Sequence, residues 1–219
     1  MLALMLLACW NWDSDEDARV VENQHDMEDH YTQAAEGRDS LIRGDLPGMK
    51  GQLAILEGRL PLPALPPELR GREAELSKAV AAAAAADTLE SGAGALADVA
   101  AACGACHSAA DVDISLPTPE PPKAGEMRGH QWAAARMWDG LVGGSDAAVA
   151  EGFGALAELE EFDGGALAAT ATPFAGEVTA LAERAAAADA AGRRAAYGEF
   201  LETCAACHAL TDGGPEETD

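Results

Sequence analysis

The sequence predicts an all-α protein built as two tandem up-down-up-down four-helix bundles. Three observations point there. Apolar residues recur at helical spacing in eight segments. The proline-rich stretches Leu60 to Pro67 and Asp111 to Gly125 fall between those segments. The second set of four repeats the first: Met27, His30, Leu41 and Gly44 return as Met127, His130, Leu141 and Gly144, all displaced by one hundred. Glu75 to Asp87 and Glu177 to Asp189 likewise match, each ending in an alanine run and an aspartate. Self-similarity at a fixed displacement marks an internal duplication.

Taken in order, residues 1–22 read as an N-terminal segment followed by an acidic tether, since Asn11 to Glu22 is polar with no apolar period. The first bundle is expected over 23–112. Its first helix starts near Asp26, with His30, Ala34, Gly37 and Leu41 in helical register, and stops at Gly44. Asp45 caps a second helix to about Leu60, with Leu46, Met49, Leu53 and Leu56 on one face. The prolines of Leu60 to Pro67 break the helix there. A third helix is expected from about Pro67 to Ala86, and a fourth from Ser91 to Ala110. Residues 113–124, with Pro117, Pro119, Pro121 and Pro122, form a semi-rigid linker. The second bundle, 125–211, repeats the plan with helices near Gly125 to Val142, Asp146 to Phe162, Pro173 to Ala190 and Arg193 to Leu210, and 212–219 is an acidic tail.

The last helix of each half carries C-x-x-C-H, as Cys103-Gly104-Ala105-Cys106-His107 and Cys204-Ala205-Ala206-Cys207-His208. This is the attachment signature of a c-type haem. One helical turn separates the two thiols, so both can add to the vinyl groups on one haem edge, and the histidine beside them can bind the iron. A pair of redox disulfides, or a zinc site assembled from four Cys and two His, are the alternatives. Neither suits the sequence: no βαβ pattern surrounds the motifs, and zinc leaves their repetition unexplained. Two covalently bound haems are therefore expected. They also explain how a chain with only 5% aromatic residues fills its core.

Composition narrows the partners. With 38 acidic against 14 basic residues, the formal net charge of −24 repels nucleic acid and suits a basic protein partner. Four of the five cysteines belong to the motifs. The fifth, Cys9, ends the apolar run Met1 to Cys9, and Leu6-Leu7-Ala8-Cys9 resembles a bacterial lipobox, in which the cysteine is lipidated after cleavage. The run is too short to span a bilayer and lacks a preceding Lys or Arg. The expectation is an extracytoplasmic, periplasmic protein anchored to a bacterial membrane through a lipid on Cys9.

Four helices with the haem motif on the last one resemble the class II cytochromes c, the cytochrome c′ and c556 family. The resemblance covers Asp26 to Ala110 and Gly125 to Leu210. It implies that Cys103 and Cys106 hold one haem with His107 as proximal ligand, and Cys204 and Cys207 the other with His208. Small cytochromes c that place the motif near the N-terminus draw a sixth ligand from later in the chain, and only eleven residues follow His208. The stretch from the first helix to the haem motif is shorter here than in typical family members.

Antiparallel packing brings the start of each first helix to the end of the bundle where the motif lies. Both halves place Met-x-x-His there, Met27 with His30 and Met127 with His130. His30 and His130 are the expected sixth ligands, with Met27 and Met127 as alternative distal residues and a surface or helix-cap role as the plainer one. Trp132, Trp138 and Phe153 are assigned to packing around the second haem. The function expected is electron transfer between protein partners, including a membrane electron-transfer complex, with no catalysis on a substrate. A cytochrome c′-like protein that binds or detoxifies NO or CO at an open distal site is the rival, and a dihaem peroxidase a weaker third.

Overall fold

The structure, a computed structural model, describes residues 14–62, 65–112, 114, 120, 127–158 and 168–215. Cys9, most of the expected linker and the end of the acidic tail lie outside them. The described residues form eight α-helices: α1 (Ser14–Ile42), α2 (Leu46–Gly58), α3 (Arg70–Ala84), α4 (Leu89–Ala109), α5 (Met127–Gly143), α6 (Asp146–Ala157), α7 (Ala168–Ala186) and α8 (Ala190–Thr211). No strand occurs among the described residues.

Local chemistry sets the ends. The Asp45 carboxylate accepts from the Gly48 N–H at 2.9 Å to start α2. Thr88 and Ser91 cap each other across the first turn of α4, and Asp189 accepts from Gly192 N–H to start α8. Helices α1 and α5 stop in the same way. Gly44 and Gly144 take φ of 79° and 72°, and the following N–H groups, of Asp45 and Ser145, reach back to the carbonyls of Ser40 and Gly140 at 2.9 and 2.7 Å. This is the Schellman closure, which favours glycine at the left-handed residue.

Several boundaries differ from expectation: α6 ends at Ala157 rather than Phe162 and α7 at Ala186 rather than Ala190, and two helix starts differ as well. Residues 14–22, expected as a tether, are the first turns of α1. The sequence at 15–17 is acidic, the composition that the macrodipole favours in a first helical turn, and apolar period is no guide to such a segment. Helix α7 begins at Ala168 rather than at Pro173, so the proline sits inside it.

Within each half, helices consecutive in the chain pack on one another: α1 on α2, α2 on α3, α3 on α4, and correspondingly α5 through α8. The halves are also pressed together. Helix α4 packs on α8 and α5 more extensively than on α1, and α8 packs on α1 more than on α5. Glycine permits the α4–α8 approach: a Cβ at 198 would lie 3.2 Å from the Gly94 Cα. One contiguous hydrophobic core results, from Leu41, Met49, Leu53, Leu56 and Leu96 of the first half to Trp138, Phe153, Tyr197 and Phe200 of the second. All of these are fully buried, each burial contributing about 1.5–3 kcal/mol.

Candidate functional site

Both C-x-x-C-H motifs occupy the last turns of a helix, in α4 and in α8. Each helix is closed four residues after the histidine by an aspartate in the left-handed region, Asp111 (φ 54°) and Asp212 (φ 53°). The two cysteines of each pair stand one turn apart with free thiols.

Two cavities lie over the motifs. The first, about 50 Å³, is lined by Cys103, Cys106 and His107 together with Met27 and His30 from the middle of α1. The second, about 220 Å³, is lined by Cys204, Cys207 and His208 together with Met127 and His130 from the start of α5. The expected convergence of Met-x-x-His and C-x-x-C-H therefore occurs twice. It also splits the four cysteines between two places, so they do not assemble one zinc centre. Among the described residues no group of three or more His, Cys, Asp or Glu is arranged to hold a metal ion. A haem iron takes four ligands from its porphyrin and asks the protein for two at most.

The histidines of the motifs are oriented alike. His107 Nδ1 donates to the Val142 carbonyl at 2.8 Å, and His208 Nδ1 to the Ile42 carbonyl at 2.8 Å. A carbonyl only accepts, so the proton is on Nδ1 and the lone pair on Nε2. That is the arrangement a metal-binding imidazole adopts when a backbone partner fixes its tautomer. Val142 and Ile42 are equivalent residues of the duplication, but each belongs to the other half. The helix ends are thus exchanged. Gly104, inside the first motif, lies so close to the end of α5 that a Cβ would collide with the Leu141 carbonyl, and the Gly44 turn of α1 meets Ala205 and Ala209 of α8 in the same way.

The distal histidines differ. His30 is 6% exposed, and neither ring nitrogen has a hydrogen-bond partner. Burial holds its pKa below the ordinary value against the pull of the Asp26 carboxylate and the Arg59 backbone, so the imidazole is neutral. A buried imidazole with both nitrogens unpaired is costly unless something binds it. His130 is half-buried, and burial followed by the neighbouring His208 lowers its pKa too. Met27 is half-buried and Met127 exposed.

The thiols bear on the disulfide alternative. Burial pushes Cys103 and Cys204 up to about 12, and raises Cys106 and Cys207 as well. Redox dithiols need a depressed pKa, typically from a helix N-terminus, whereas these sit at helix C-termini, whose dipole opposes the thiolate.

Sequence reasoning missed three features. Glu73 of α3, 7% exposed, accepts from the Leu62 N–H and from Arg70 and so holds Leu62 against the first cavity. Trp138 was expected at the second haem, yet it lines the first cavity, while Arg38 of α1 lines the second. Both cross over because the ends of α1 and α5 are exchanged, which no local pattern announces. The one available signal was that Ile42 and Val142, like Gly44 and Gly144, recur at equal displacement.

Compared with known protein families, with curated proteins and with solved structures, the chain matches none. No described helix is long and apolar enough to cross a membrane.

Proposed function

We propose that the protein is a dihaem c-type cytochrome, similar to the class II family, that carries electrons between protein partners outside the cytoplasm. Cys103 and Cys106 would attach one haem with His107 proximal and His30 distal, and Cys204 and Cys207 the other with His208 proximal and His130 distal. Each half would then be a four-helix bundle closed around its haem. When bound, haem supplies one-electron ferric–ferrous chemistry. The chain's own residues hold both imidazoles in the Nδ1–H tautomer, keep His30 neutral and available, and surround the centres with an apolar core.

The observation that carries this is the buried His30, with no polar partner, in the cavity that holds two thiols and an oriented His107. The donor set fits the group. Volume does not come preformed: a cavity of about 150 Å³ takes one benzene, so loading the first site requires its lining to open.

Acid–acetone extraction followed by intact mass tests the claim. The expected mass exceeds that of the polypeptide by two haems, and pigment that leaves with the solvent refutes covalent attachment.

The larger second cavity and its half-buried His130 favour a second reading at that site alone, an open distal position that binds NO or CO. A five-coordinate high-spin component amounting to half the haem would support it. Partners are expected to be basic, given the net charge of −24. Lipidation at Cys9, with anchoring to a bacterial membrane, is part of the proposal. Cys9→Ser should move the protein from the detergent phase to the aqueous phase with an unaltered spectrum, and equal partitioning of both forms refutes the anchor.

A further inference from the structure

The two cavities are related by duplication but differ in charge. Arg38 and Trp138 hold equivalent positions, four residues before the Ile42 and Val142 whose carbonyls orient the motif histidines. Because the helix ends are exchanged, Arg38 reaches the cavity of Cys204, Cys207 and His208, and Trp138 that of Cys103, Cys106 and His107.

The Arg38 side chain is only 12% exposed. Its Nε and Nη2 both contact Asp39 Oδ1 at 2.7 Å, and the guanidinium lies over the Trp138 ring at 5.4 Å from its centroid. Nη1 is buried with no partner. A guanidinium held on two sides, on the wall of that cavity and with one donor left unpaired, is suited to a carboxylate once a side-chain rotation turns that donor to it. Asp39 and Arg128 line this cavity beside Arg38, so two arginines face one carboxylate there; the other cavity has the opposite polarity, since Glu73, partnered by Arg70 from outside the lining, is its charged lining residue.

We propose that Arg38, through Nη1, holds the carboxylate edge of the haem attached to Cys204 and Cys207, and that this makes the second centre the higher-potential one. The assignment rests on the haem reading above. Reduction lowers the charge of the iron centre by one, so a nearby cation favours the ferrous form and a nearby carboxylate the ferric. Glu73 therefore lowers the first centre while Arg38 raises the second. An electron received at the first centre runs downhill to the second, and the chain has a donor-facing and an acceptor-facing half.

Potentiometric titration followed at the haem bands tests this on the intact haem-loaded protein, on Arg38→Gln and on Arg38→Lys. The unmodified chain should titrate in two steps. Arg38→Gln should shift the upper step down and leave the lower one in place, and Arg38→Lys, which keeps the charge, should leave the upper step near its original value. A Cys204→Ala/Cys207→Ala variant should retain only the lower step. Two steps that do not move in Arg38→Gln, a shift confined to the lower step, or retention of the upper step when the second motif is removed would each overturn the assignment. Absence of haem bands from the unmodified protein would instead overturn the cofactor itself, and this assignment with it.

Discussion

At the scale of single residues the first half of the site is the more tightly specified. His30 is buried without a partner and His130 is half-open, so the two are expected to respond unequally. If the proposed haems are bound, His30→Ala should convert one of the two from low-spin to high-spin or methionine-ligated, with Met27 one turn away as the substitute. His130→Ala should change less, because the second distal position is already more open. Optical spectra of both variants decide it: no change in His30→Ala removes the histidine from the coordination sphere. Gly104 makes a second test. Its replacement by alanine drives a methyl group into the Leu141 carbonyl, an overpacking error that costs typically about 1–3 kcal/mol. Gly104→Ala should therefore lower Tm, whereas Ala105→Gly, the adjacent motif position, should not act through that contact. Equal melting of Gly104→Ala and the parent chain would mean that the α4–α5 approach is looser than described.

At the scale of elements, Pro173 stands out. It lies within α7, exposed, where it withholds one backbone N–H from the helix. Pro173→Ala should raise thermal stability, by the order of 1–3 kcal/mol; a lower Tm would show that the proline fixes the entry of the preceding segment instead. Most elements were readable in the sequence for reasons that are themselves local. Asp45 caps and Gly44 closes by chemistry confined to a few residues, and Met27, His30, Met127 and His130 announced themselves by recurrence. The start of α1 was not readable, because its acidic first turns have no apolar face to display. The neighbours of α4 and α8 were not readable either. Their placement depends on glycine at 198 and on carbonyls at the ends of α1 and α5, all of which look interchangeable until the chain is folded.

At the scale of the molecule, the two halves exchange supports. The first motif's histidine leans on Val142 and the second's on Ile42, and both halves share one core. A chain of residues 14–112 alone would bare the face of α4 that covers α8 and would leave His107 without its carbonyl. It is expected to recover both by pairing with a second copy, since Ile42 of one copy can stand where Val142 stood for the other. Sedimentation of that fragment should report a dimer, and a folded monomer would show that the exchange is dispensable. Symmetry then carries a historical consequence. Two identical subunits must present the same residue to both of their shared sites, so a paired single-repeat ancestor could not have offered arginine to one and tryptophan to the other. Joining the copies in one chain makes positions 38 and 138 separately mutable, the freedom that the proposed difference between the two centres requires.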